Sequence, residues 1–172
     1  MIGIGGIASY AVGGGDTHPG LEHAGINPVA LLSVSYFFTD GLAIGLQGTH
    51  QYVNTTVRFR PSRLPIAIST SVTAMGGAVG LGGNYFFRAT PVLFPHVGIF
   101  IQYGMAGGKV PNMGSTRFSF INVGIAAGLT WIITDGLGLC FEATHLRDII
   151  DPGKTNQNGH LTGIGIGFRI FI

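Results

Sequence analysis

Apolar residues recur at every second position along most of this chain, and the pattern is cleanest at its end. Thr162, Ile164, Ile166, Phe168, Ile170 and Ile172 share one parity, and Gly163, Gly165, Gly167, Arg169 and Phe171 share the other. Successive side chains of a β-strand point to opposite faces, so this segment predicts a strand with one greasy face and one face of small residues. A half-buried strand of a soluble sheet sets apolar residues against polar ones. Here the second face is mostly glycine with one arginine. That suits a wall whose outside touches lipid and whose inside lines a narrow interior.

The same period recurs eight times, predicting strands over residues 2–12, 29–38, 42–53, 73–87, 96–105, 118–133, 137–146 and 162–172. The apolar parity holds, among others, Ile2, Ile4, Tyr10 and Val12 on the first strand, Leu32, Val34, Tyr36 and Phe38 on the second, and Ile99, Ile101 and Tyr103 on the fifth. Connections alternate between short and long. Short ones fall at Thr39-Asp40-Gly41, at 88–95 and at Thr134-Asp135-Gly136; long ones fall at 13–27, 54–71, 106–116 and 147–159. Aspartate-glycine is a hairpin signal because glycine takes positive φ without steric cost. Phe38-Thr39-Asp40-Gly41-Leu42 and Ile133-Thr134-Asp135-Gly136-Leu137 read as one hairpin used twice. Tyr36, Phe38, Tyr85, Phe87, Trp131 and Phe168 gather toward the short turns, and Tyr10, Tyr52 and Tyr103 toward the long loops. Two aromatic girdles are the mark of a lipid-facing barrel. The expected fold is all-β: one eight-stranded antiparallel up-and-down transmembrane β-barrel forming a single domain over 1–172.

Composition sharpens this. Hydrophobic residues make up 46% of the chain and charged residues only 9%, against about 25% charged in a typical soluble domain. A soluble sandwich or lipocalin-like barrel leaves that deficit unexplained. A helical span needs about 20 consecutive apolar residues; the best run, 120–133, is shorter and holds Asn122, Gly124, Gly128 and Thr130. A net charge of +2 gives no footing for nucleic acid. The single cysteine, Cys140, excludes an intrachain disulfide. Nothing near it in sequence resembles a metal or nucleophile site, and the six histidines lack zinc-ligand spacing. No cofactor or metal is expected. The start reads as a strand and not as an export signal, so the expected location is a Gram-negative-type outer membrane after removal of such a signal.

Segments 36–43, Pro95-His96-Val97-Gly98 and 163–169 resemble the small eight-stranded outer-membrane barrel proteins. The second half resembles more closely the lipid A deacylase (acyloxyacyl hydrolase-like) barrels. That likeness rests on 114–120, on 130–135, and on a seventh strand ending at His145 before a loop containing Asn158-Gly159. The resemblance implies an acyl hydrolase with serine, histidine and an acid on the outer wall. His145 matches the family's histidine. The serine's position holds Arg147, and the acid's holds Thr162. A serine hydrolase needs nucleophile, base and orienting group together, so the activity does not carry over. The expected function is a non-enzymatic structural or interaction role; a deacylase-like hydrolase and a narrow passive channel are the alternatives. Ser115 and Ser119, ahead of the sixth strand, are the candidate substitute nucleophiles for the hydrolase.

Three sets of residues carry candidate chemistry. His145 and Arg147 face the lipid near the outer rim, where arginine's planar fork suits phosphate; the bland reading is an interface residue and a snorkelling arginine. Glu142 and Arg169 share inward parity on adjacent strands and are expected to pair, since an unpaired buried charge is costly. Gln47, Gln102, Asn122, His96 and Thr130 extend that interior plug. Inward glycines and alanines leave open a thin water-filled bore. Arg58, Arg60 and Arg63 form a basic cluster in the second long loop, suited to anionic lipopolysaccharide or a neighbouring protein. The apolar stretch 64–75 after it is expected to extend the third and fourth strands beyond the membrane. With the barrel wall, it is the expected meeting place for a homo-oligomer.

Overall fold

The computed structural model describes the backbone of residues 1–14, 21–59, 68–110, 114–150 and 157–172. Eight strands form one closed antiparallel barrel in chain order: β1 (Ile2–Gly14), β2 (Leu21–Phe37), β3 (Leu42–Phe59), β4 (Ile68–Phe86), β5 (Leu93–Val110), β6 (Gly114–Thr134), β7 (Leu137–Ile150) and β8 (Gln157–Phe171). Closure is made by β1 against β8, with Ile4 opposite Ile170 and Ala8 opposite Ile166. A closed sheet leaves no edge, which is what allows strands to cross a bilayer.

The strands run further toward the long loops than alternation predicts. β2 begins at Leu21 and not at 29, β5 reaches Val110, β7 reaches Ile150 and β8 begins at Gln157. Beyond the lipid an outward side chain need not be apolar, so the period-two signal fades while the backbone ladder continues. The expected extension around 64–75 holds where it is described: β3 and β4 stay paired as far as Phe59 opposite Ile68.

Parity follows the alternation. Ile2, Ile4, Leu32, Val34, Leu46, Val79, Leu81, Ile99, Ile101, Ile125, Ile164 and Ile166 are exposed on the outer wall. Ile164 is 73% exposed, an extreme for a soluble protein and ordinary for a lipid-facing one. At the short-turn end Tyr36 packs edge-on to Phe38 at 5.1 Å, and Tyr85 to Phe87 at 4.8 Å. Trp131 and Phe168 are exposed at the same end, and Tyr52 and Tyr103 stand toward the other. Tyr10 and Val12 lie outside the residues whose side chains are described.

The two aspartate-glycine turns are not one hairpin reused. Gly136 sits at φ +80° in a tight Asp135-Gly136 turn. A register shift on β6 between Ile132 and Thr134 pairs Thr134 directly with Leu137 and shortens that connection. Around Asp40 the turn is longer, and the Leu42 N–H donates to Thr39 Oγ1 at 3.1 Å. The third short connection uses the same device, with the Leu93 N–H donating to Thr90 Oγ1 at 3.0 Å. Gly41 is required by close approach: a Cβ there would stand 2.7 Å from the Phe86 carbonyl oxygen.

Candidate functional site

Among the described residues, two places on this scaffold gather reactive side chains. One is inside the barrel at the short-turn end. Register builds it: His96 on β5 and Glu142 on β7 both stand opposite Gly128 of β6. The His96 ring lies over that glycine, where a Cβ would come within 2.6 Å of its Cε1. With no side chain between them, His96 Nε2 reaches Glu142 Oε2 at 3.1 Å. Arg169 of β8 donates through its NH2 nitrogen to the same Oε2 at 3.0 Å, and the same nitrogen lies 3.2 Å from His96 Nε2. Its guanidinium also stands over the Phe86 ring at 5.0 Å, and Phe86 in turn lies 5.1 Å from the His96 ring. This is a buried anion held between a cation and an imidazole.

Cys140 belongs to the cluster too. It shares inward parity with Glu142, is fully buried, and lies between Thr130 of β6 and Gly167 of β8. Linear spacing shows no ligand set near Cys140, but the fold gives it neighbours that the spacing does not. The fold brings donor atoms of His96, Cys140 and Glu142 within 4.8 Å of one another. The signal was partial: Cys140 and Glu142 are two apart on one strand. His96 enters only through the β5–β6–β7 register.

Above this cluster Gln47, Asn84, Gln102 and Asn122 are buried inward, and the Thr49 hydroxyl donates to Gln102 Oε1 at 3.1 Å. Four of the inward glycines among the described residues lie under larger side chains. Gln47 lies over Gly82, Asn84 over Gly98, Phe100 over Gly124 and Phe120 over Gly104. A cleft at the short-turn mouth, lined by Ser33, Ser35, Phe37, Phe86, Arg169 and Phe171, leads down to Arg169.

The second place is on the outer wall toward the long loops. His145 of β7 stands opposite Thr162 of β8, and Arg147 opposite His160. His145 Nδ1 and Thr162 Oγ1 share a hydrogen bond of 2.8 Å, its direction set by the tautomer. The His145 and His160 rings stack, 6.5 Å apart and 19° from parallel. His145, Arg147 and His160 are all exposed, with Ile125 and Val123 opposite His145 and Arg147 on β6. Asp148, three residues after His145, has inward parity and stands opposite Gly159. Ser119 lies six positions along β6 from Ile125, roughly 20 Å at about 3.3 Å per residue. Ser115 is further still. Neither can reach His145 from that register. Of the basic loop cluster, Arg58 falls on β3 opposite Ser69, and Arg60 and Arg63 lie outside the described residues.

No family model matches the chain, and no curated protein matches it either. Solved structures do. Neisserial surface protein A superposes with a TM-score of 0.71 at 14% identity, over 99% of this chain and 97% of that one. The outer membrane protein OprG from Pseudomonas aeruginosa gives 0.56 at 12% identity, covering 98% and 93%. The outer membrane enzyme PagL gives 0.54 at 16% identity, covering 96% and 99%. At such identities the likeness is one of fold. Together with the closed eight-stranded barrel, its apolar wall and its aromatic girdles, it gives this chain the architecture of a small outer-membrane β-barrel.

Proposed function

We propose that this protein is a non-enzymatic barrel of a Gram-negative-type outer membrane whose role is structural or interactive. Its outer wall engages anionic lipid headgroups, the phosphates of lipopolysaccharide among them, through Arg147 and the His145–His160 pair. The observation that supports this reading is the register around His145. It sets an arginine and a second histidine beside His145 and supplies neither serine nor carboxylate among the described outward neighbours. Arginine's fork pairs with phosphate oxygens, and histidine adds a donor at little steric cost. The basic cluster at Arg58, Arg60 and Arg63 extends the same preference to the second loop. A second protomer is the other partner the apolar wall suits.

One contact favours an alternative. The hydrogen bond between His145 and the Thr162 hydroxyl is nucleophile–base geometry, so a lipid A deacylase-like hydrolase is the second reading. The passive channel has less support, because large side chains lie over the inward glycines. One experiment separates the first two. The folded protein is incubated with lipid A in detergent, and free fatty acid is measured beside retention of lipid A and its dephosphorylated form by native mass spectrometry. Retention that needs the phosphates and falls in Arg147→Gln, with no fatty acid above background, is expected. Acyl release lost in both His145→Ala and Thr162→Val would replace this reading with the hydrolase.

A further inference from the structure

The interior cluster contains more than a salt bridge requires. Pairing Arg169 with Glu142 satisfies the charges, yet a thiol and an imidazole converge on the same point. The three donors are an imidazole nitrogen, a thiol sulfur and a carboxylate oxygen, all from buried residues. Two neighbouring buried atoms, His96 Nδ1 and Thr130 Oγ1, lack a hydrogen-bond partner. Thr130 is fully buried directly opposite Cys140. A buried hydroxyl left unpaired costs about 1–3 kcal/mol. Thr130 thus stands opposite one of the three donors.

We propose that His96, Cys140 and Glu142 bind a thiophilic divalent cation of the zinc class, with a water as fourth ligand held by the Thr130 hydroxyl. Three protein ligands of these types plus a water make a tetrahedral zinc-class site, with bonds of roughly 2.0–2.3 Å. His96 Nε2 and Glu142 Oε2, 3.1 Å apart, already stand at the separation two such ligands require. Cys140 closes in from within 4.8 Å. On binding, the sulfur–metal bond forms and the thiol proton leaves to solvent. Thiolate and carboxylate then cancel the two positive charges.

Arg169 competes for the site. Its NH2 nitrogen occupies the two atoms the cation needs, Glu142 Oε2 and His96 Nε2. Binding therefore displaces the guanidinium. Arg169 shares the lining of the short-turn cleft with Ser33 and Ser35, and the displaced guanidinium turns toward that mouth. Removing the guanidinium tightens metal binding, although it removes a stabilising ion pair.

Cobalt(II) tests this. Thiolate-to-cobalt charge transfer absorbs in the near ultraviolet, and Cys140 is the chain's single cysteine, so the band reports this site. The surface histidine pair produces no such band. The full chain, folded in detergent and kept reduced by a phosphine, is titrated with cobalt chloride. A saturable band displaced by zinc is expected in the unmodified protein. Cys140→Ser abolishes it, His96→Gln weakens binding about tenfold or more, and Arg169→Gln tightens it by about the same factor. Absence of a saturable band from the folded unmodified protein overturns the proposal, as does a band that survives Cys140→Ser. An unchanged midpoint in Arg169→Gln overturns the competition.

Discussion

Removing Glu142 strands a cation inside the barrel, and the size of that effect follows from the contacts around it. Glu142 Oε2 accepts from Arg169 at 3.0 Å and faces His96 Nε2 at 3.1 Å. Breaking a buried ion pair by deleting one partner costs about 3–5 kcal/mol, because the other charge stays buried. Two features hold this case near the lower bound. The Arg169 side chain retains 12% exposure toward the mouth, and its guanidinium keeps the face of Phe86 at 5.0 Å, worth about 0.5–2 kcal/mol. Glu142→Ala is therefore expected to destabilise the barrel by about 3 kcal/mol, more than a hundredfold in the folded-to-unfolded ratio. Glu142→Leu combined with Arg169→Met leaves no charge behind and is expected to cost under about 1 kcal/mol. The assay is reversible urea unfolding from phosphatidylcholine vesicles, read by emission from Trp131, the chain's single tryptophan, which stands exposed on the lipid-facing wall. A thermodynamic cycle completed by Glu142→Leu alone and Arg169→Met alone isolates the pairwise coupling, expected at about 2 kcal/mol or more. Equal losses in the single and double variants would refute the argument, since they would mean that Arg169 solvates itself without its partner.

Further outcomes follow from the wall and from the glycines. Ile164→Lys puts a cation on the lipid face and is expected to cost about 2–4 kcal/mol in the same unfolding measurement; an unchanged stability would contradict the outward parity. Gly167→Ala drives a Cβ into the Gly6 carbonyl oxygen and is expected to cost about 1–3 kcal/mol, whereas at Gly48 the nearest atom to a new Cβ is 3.9 Å away and alanine should be nearly neutral. Reversed ranking of those two would show that the barrel relaxes differently. Binding of phosphorylated lipid A should weaken as salt rises and weaken further in Arg147→Gln, because exposed charge contacts are screened within about 10 Å at 0.1 M salt; salt-independent retention would indicate that the acyl chains alone hold the lipid.

Much of this molecule is legible along one dimension. Alternation assigns Ile164 and Ile166 to lipid and Gly163 and Arg169 to the interior because a strand offers only two faces. The scarcity of charge selects lipid over water for the outer one. Short aspartate- and threonine-led turns separate the strands, and so the count of eight and their antiparallel order follow from sequence. Inward parity also places Glu142, Cys140, His96 and Arg169 in the lumen. Only the closed sheet decided which of them meet. Residues 96, 128 and 142 fall in one hydrogen-bonded row because of the stagger of β5, β6 and β7, and the glycine in the middle of that row lets a histidine reach across to a carboxylate. The same stagger sets Thr162 and His160 beside His145 and Arg147 and carries Ser119 roughly 20 Å away. Periodicity is a property of one strand and is written in it. Register is a property of two strands and of barrel closure, and a single sequence read strand by strand does not contain it.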